Sequence, residues 1–110
     1  MEVYTSMKKR LAEYTEALGK VYQPPISDAI ITAIGKTTEA YRNGKTVYVC
    51  GNGGSAADSQ HFAAELNDTP NTKFPAFSLG VNASSLTALG NDYGFENVFE
   101  RQLRTLGHSG

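Results

Sequence analysis

The chain has 110 residues, enough for one small domain, and is 40% hydrophobic, 10% aromatic and 19% charged. Its 10 Lys and Arg against 11 Asp and Glu give a formal net charge of -1, which leaves no electrostatic footprint for bulk nucleic acid or a membrane surface. Cys50 is the single cysteine, so no internal disulfide forms, which fits a reducing cytoplasm; no apolar run approaches the roughly 20 residues of a membrane span.

Tyr4, Met7, Leu11, Tyr14, Leu18 and Val21 follow steps of three and four, which predicts a helix from about Glu2 to Leu18 with Gly19 near its end. The narrow stripe has the form of a helix–helix seam, one that a second subunit could complete. Lys8, Lys9 and Arg10 sit among Glu2, Glu13 and Glu16, as on a solvated face. The amino end is amphipathic, unlike the apolar core of a signal peptide. Gln23-Pro24-Pro25 is a break, and Ile26, Ile30, Ala33, Ile34, Thr37 and Tyr41 mark a second helix. Ser27 or Asp28 is its expected cap and Asn43-Gly44 its stop.

Thr46 to Cys50 is short and β-branched, the pattern of a buried parallel strand. A glycine turn, Gly51-Asn52-Gly53-Gly54, leads into a helix over Ser55–Leu66, with Ser55 as a possible cap. A polar loop spans Asn67 to Phe74 and a second strand spans Pro75 to Leu79. Asn82 is the expected cap of a short helix, Ala83–Leu89, and Gly90 to Gly94 reads as a loop of residues tolerant of positive φ. Phe95, Val98, Phe99, Gln102, Leu103 and Leu106 give a last helix, closed by Gly107. Strands alternating with helices predict an α/β fold with a parallel sheet. Two strands bury too little to stand alone, so the expectation is the amino-terminal portion of a larger α/β domain. Residues 1–45 form a helical pair suited to oligomerisation, and residues 46–110 the first part of the α/β domain.

Chemistry concentrates at the glycine turn. A strand that empties through glycines into a helix points free amides and the positive end of the helix dipole at one spot, which suits a phosphate. No Lys closes the turn, which excludes a Walker-type loop. Gly51-x-Gly53-x-x-Ala56 fits the dinucleotide fingerprint formally, but the second strand closes on Leu79-Gly80 rather than on the acidic residue that holds a ribose. One turn on, His61 and Glu65 lie about 40° apart around the helix and can converge as metal ligands or as a proton-transfer pair. An exposed His–Glu contact without function is the plain alternative. Phe62, Ala63 and Leu66 form the apolar face on another side. Asp58 lies near the pair, or serves as a first-turn carboxylate complementing the dipole. Asn91 and Asp92 suit sugar hydroxyls, or simply form a turn. Cys50 reads as a packing residue, and His108 carries no assignment.

Cys50-Gly51-Asn52-Gly53-Gly54-Ser55, Asp58-x-x-His61-Phe62-Ala63-x-Glu65-Leu66 and Leu89-Gly90-Asn91-Asp92-Tyr93-Gly94-Phe95 with Val98-Phe99 together resemble the phosphosugar-isomerase (SIS) fold and, within it, the phosphoheptose isomerase family. The resemblance runs over nearly the whole chain, including the two leading helices. It implies a three-layer parallel-sheet SIS domain, flavodoxin-like, of which this is the amino-terminal portion. It implies cytoplasmic homotetramers with active sites between subunits, interconverting sedoheptulose 7-phosphate and D-glycero-D-manno-heptose 7-phosphate on the way to bacterial surface lipopolysaccharide. Asn52, Gly53, Gly54 and Ser55 would contact substrate, and Asn91 and Asp92 would hold its polyol. His61 and Glu65 would ligate zinc, and Glu65 would be the base that moves a proton between two carbons of an enediolate.

Two features depart from the family pattern. The later Ser/Thr-rich phosphate loop, and the Gln and His that complete the site, lie outside this sequence, so the chain alone is expected to be incomplete for catalysis. After Leu66, Asn67-Asp68-Thr69-Pro70-Asn71 replaces the usual small residue and arginine. Both features favour the alternative, a non-catalytic SIS module that binds a sugar phosphate or a protein partner such as a replication initiator. Retained His61 and Glu65 favour the enzyme.

Overall fold

Glycine and proline set most element boundaries in the computed structural model, which describes residues 1–108. The elements are α1 (Glu2–Lys20), α2 (Ile26–Arg42), β1 (Val47–Val49), α3 (Gly54–Asn67), β2 (Ala76–Ser78), α4 (Ala83–Tyr93), a 3-10 turn (Phe95–Asn97) and α5 (Val98–Leu106). The chain divides into two compact units, Met1–Thr38 and the residues from Glu39 onward. No helix among the described residues is long and apolar enough to cross a membrane.

In the first unit α1 runs through Gly19 to Lys20, and its stripe lies open to solvent: Tyr4, Met7, Leu11, Tyr14 and Leu18 are all exposed. Neither α1 nor α2 carries a buried residue. Ser27 and Asp28 do not cap α2 as expected. The helix starts earlier because the Gln23 carbonyl accepts the amides of both Ile26 and Ser27, which places Ser27 and Asp28 inside the first turn. Its end is as the sequence predicts. Gly44 adopts φ 63°, its amide bonds Tyr41 O at 3.0 Å, and the Lys45 amide bonds Ala40 O at 2.8 Å. This pair of bonds satisfies two of the carbonyls that a helix end leaves without partners.

In the second unit β1 and β2 pair in parallel, Val47 with Ala76, Tyr48 with Phe77 and Val49 with Ser78. The ladder extends through Val47 N–H to Pro75 O at 2.8 Å and Leu79 N–H to Val49 O at 2.9 Å. β1 is half-buried rather than buried, since a two-stranded sheet leaves its outer edges open. Helix α3 packs on both strands, with Ser59 and Ala63 as its buried residues. Ser59 donates its hydroxyl to Ala56 O at 2.8 Å, so the Ser78 hydroxyl donates in the buried 2.8 Å Ser59–Ser78 contact. Asn67 joins the other end of α3 to β2. Its side chain accepts from Ala76 N–H at 2.9 Å and donates to Ala76 O at 3.0 Å, as a neighbouring strand would. Val98 is fully buried, with Ala63, Ala76 and Leu79 the other buried apolar residues. Tyr48 donates to Leu106 O at 2.8 Å, tying β1 to the end of α5.

Asn82 caps α4 as expected, accepting from the Ser85 amide at 3.0 Å. The helix does not stop at Leu89. It continues to Tyr93, so the predicted Gly90–Gly94 loop is helical up to Gly94, where φ 85° ends it. Gly90 sits within this helix despite its low helix propensity, and a Cβ built there would meet Phe95 and Val98 at 3.7 Å, so the position does not itself require glycine.

The glycines of the turn before α3 differ in what they tolerate. A Cβ on Gly51 would overlap the backbone carbonyl of Ser55, whereas a Cβ on Gly54 would meet open space. Gly51→Ala is expected to destabilise the fold by about 3 kcal/mol, and Gly54→Ala to change it by less than about 1 kcal/mol. Urea unfolding followed by circular dichroism measures both.

Candidate functional site

The turn after β1 builds the first part of the site. Gly51 lets the chain fold back until Ser55 lies against it, and Gly53 takes φ 56° as the N-terminal cap of α3. Ser55 is therefore not the cap. It sits inside the first turn, and its amide bonds Asn52 O at 3.1 Å. The Gly53 carbonyl takes the amides of Ala56 and Ala57, at 3.1 and 3.4 Å. Among the described residues, the amides of Gly53 and Gly54 take no backbone acceptor. The first turn of α3 carries no acidic side chain. The positive end of its dipole is thus not offset locally, which suits an anion at this point.

Two shallow hollows adjoin here. One, of about 300 Å³, is lined by Val49, Cys50, Ser55, Asp58, Ser59 and Phe62. The other, of about 330 Å³, is lined by Asp58, His61, Phe62 and Glu65. Asp58 and Phe62 belong to both, so the hollow beside the glycine turn opens onto the one that holds His61 and Glu65. Of the turn residues named from sequence, Ser55 lines the first hollow; Asn52, Gly53 and Gly54 are exposed along the turn itself.

His61 Nε2 donates to Glu65 Oε1 at 3.0 Å, so the two side chains converge as their spacing predicts. They do so in the open, with side-chain exposures of 77% and 76%. An imidazole nitrogen and a carboxylate oxygen are donors that zinc accepts, but a tetrahedral site takes about four. Among the described residues, no His, Cys, Asp or Glu joins them to make a group of three. They fit half of a zinc site.

Two side chains differ from the sequence reading. Phe62 is half exposed and lines both hollows, instead of joining Ala63 and Leu66 in an apolar face. Its spacing of four from Asp58 carries that signal. Cys50 is exposed at the first hollow and is not a packing residue, because the strand ends before it and its side chain has no layer to enter. Of the two readings open for Asp58, its place beside the His61–Glu65 pair holds: it falls in the second turn of α3, beyond the first-turn position that complements the dipole, and lines both hollows.

Asn91 and Asp92 lie in the last turn of α4 and line neither hollow. Asn91 Nδ2 donates to Asp92 Oδ1 at 2.9 Å. That bond leaves Asn91 Oδ1 and Asp92 Oδ2 as acceptors of the kind that sugar hydroxyls seek. A carboxylate at the negative end of a helix dipole costs stability, a local disadvantage common at sites built for binding.

Residues 11–108 match the SIS domain family. A phosphoheptose isomerase from a Nitratiruptor species is 45% identical over 107 residues, covering 94% of this chain and 57% of that protein. One from Pelobacter propionicus is 41% identical over 112 residues, covering 99% of this chain and 57% of that protein. Among solved structures, phosphoheptose isomerase GmhA from Neisseria gonorrhoeae aligns with a TM-score of 0.83 at 36% identity, over 97% of this chain and 56% of that one. A phosphoheptose isomerase from Francisella tularensis aligns with a TM-score of 0.88 at 29% identity, over 99% of this chain and 58% of that one. The chain thus spans a little over half the length of the curated relatives it matches. Its α/β architecture, glycine turn and match across most of its length carry one conclusion: this chain belongs to the SIS domain family.

Proposed function

We propose that the protein built on this chain is a sugar-phosphate aldose–ketose isomerase, converting sedoheptulose 7-phosphate to D-glycero-D-manno-heptose 7-phosphate. The observation that carries the reading is the 3.0 Å His61–Glu65 contact one turn behind the glycine turn, in a chain 45% identical to a phosphoheptose isomerase. The substrate phosphate lies toward the electropositive end of α3, near Ser55 and the Gly53 and Gly54 amides. Asn91 and Asp92 hold the polyol, contributed by another subunit of a homotetramer whose active sites lie between chains.

Glu65 takes a proton from carbon 1 of the ketose, and the electron pair of that bond forms the carbon–carbon double bond of an enediolate. The carbonyl electrons move to oxygen, where negative charge develops and donors are needed. Glu65 then returns its proton to carbon 2. The hydroxyl proton passes from oxygen 1 to oxygen 2, which restores neutrality. His61 and Glu65 are the residues of this chain that would hold zinc. When bound, zinc would supply Lewis-acid polarisation of the substrate oxygens. The reaction is read as a cytoplasmic step toward bacterial surface heptoses.

The second reading is a non-catalytic SIS module that binds a sugar phosphate or a protein partner. The open setting of His61 and Glu65, and the lack of an arginine after Leu66, favour it.

In the full chain, Glu65→Gln is expected to lower kcat by about 10²- to 10⁴-fold and to abolish deuterium uptake at carbon 2 during turnover in heavy water. Equal turnover by variant and wild type removes Glu65 from the chemistry and leaves the binding module. Elemental analysis of the purified protein is expected to find about one zinc per chain. His61→Ala should lower that content about tenfold or more. For assembly, Leu11→Asp should shift the protein to smaller species by light scattering, because a carboxylate would enter the α1 seam; an unchanged mass refutes that role.

A further inference from the structure

The last turn of α4 is held from outside by two side chains that the isomerase chemistry does not use. Helix ends fray first, because their terminal carbonyls lack partners within the helix. Asn91 and Asp92 sit in that turn, and Tyr93 follows them directly. Two contacts converge on Tyr93. Asn97 Nδ2 donates to its carbonyl at 2.7 Å, which satisfies one of the end carbonyls. The Arg101 guanidinium stacks over its ring, 3.4 Å from the centroid. That distance is close for a cation–π contact, which extends to about 6 Å. Gly94, at φ 85°, turns the chain so that Asn97 and Arg101 can reach back over the helix they follow.

Asp92 lies at the negative end of the α4 dipole, where a carboxylate is disfavoured. The internal Asn91–Asp92 bond leaves one acceptor oxygen on each residue, on a turn anchored at Tyr93. Acceptors that recognise hydroxyls gain affinity when they are held in place before binding, since less ordering remains to be done.

We propose that Arg101 and Asn97 are positioning residues for sugar recognition: through Tyr93 they hold Asn91 and Asp92 in the arrangement that accepts the substrate's hydroxyls. The inference rests on the reading above, in which those two residues hold the polyol. Arg101 and Asn97 contribute to binding in ground state and transition state alike. Their loss therefore raises KM and spares kcat.

The test uses the full chain with sedoheptulose 7-phosphate as substrate, together with amide hydrogen exchange of the ligand-free protein. Arg101→Ala and Tyr93→Leu are each expected to raise KM roughly tenfold with kcat changed less than about twofold. The double variant should be no worse than either alone, since both remove one contact. Tyr93→Phe keeps the ring under the guanidinium and restores the wild-type KM. Asn97→Ala should raise KM in the same direction. In Arg101→Ala the Asp92 and Tyr93 amides should exchange about tenfold faster. An unaltered KM, a loss confined to kcat, or unaltered exchange at those amides in Arg101→Ala overturns the positioning role and leaves the isomerase standing. A wild-type chain that neither turns over nor binds the sugar overturns the isomerase and this inference with it.

Discussion

The site depends on one close approach, that of Gly51 to the backbone of Ser55. A parallel strand must hand the chain to a helix that runs back along the sheet, and here β1 does so within four residues. No side chain fits between the end of the strand and the first turn of the helix. That compression brings the start of α3 to the carboxyl end of β1. Everything further along α3 inherits its position from it: Ser55 and Asp58 on the hollow near the turn, then His61 and Glu65 on the next. The Ser59–Ser78 hydroxyl pair and the Asn67–Ala76 clamp fix the same helix against β2 at its two ends. Helix α3 thus has little freedom to slide or rotate, and its polar face is held without any contribution from that face itself.

The polar groups named from sequence fall into two sets. Ser55, His61 and Glu65 share the α3 face. Asn91 and Asp92 stand at the end of α4 and line neither α3 hollow. The apolar stripe of α1 forms an open face of the first unit. Its residues are as regular as a core face and as exposed as a solvated one, Leu11 at 66% among them. Burying such a stripe removes apolar area from water at about 25 cal/mol per Å², a driving force that a monomer leaves unused.

Helix α4 illustrates how a local preference yields to packing. Gly90, Asn91, Asp92 and Gly94 are turn formers, and the sequence predicts a loop from them. In the fold, α4 packs against α5, whose Val98 is fully buried. The helix runs through Gly90 and the residues after it until Gly94 reaches a conformation that ends it. Val98 lies eight residues downstream of Gly90, so a local reading of the loop could not weigh it. The same holds for Phe62 and Cys50, whose apolar character suggests burial, whereas the two-stranded sheet offers no layer to cover them.

The order and type of the elements, the strand–turn–helix unit at Gly51–Gly54, the Asn82 cap, the Gly44 stop and the convergence of His61 with Glu65 are all legible from the amino acids alone. These are short-range consequences of backbone freedom and helical spacing, and they need no distant partner. The fold settles which positions are buried, that the two hollows share Asp58 and Phe62, that Asn67 clamps β2, and that Asn91 and Asp92 ride on a helix. Each of these turns on contacts between residues far apart along the chain or on which surfaces find a neighbour, and neither is encoded in the spacing of nearby residues.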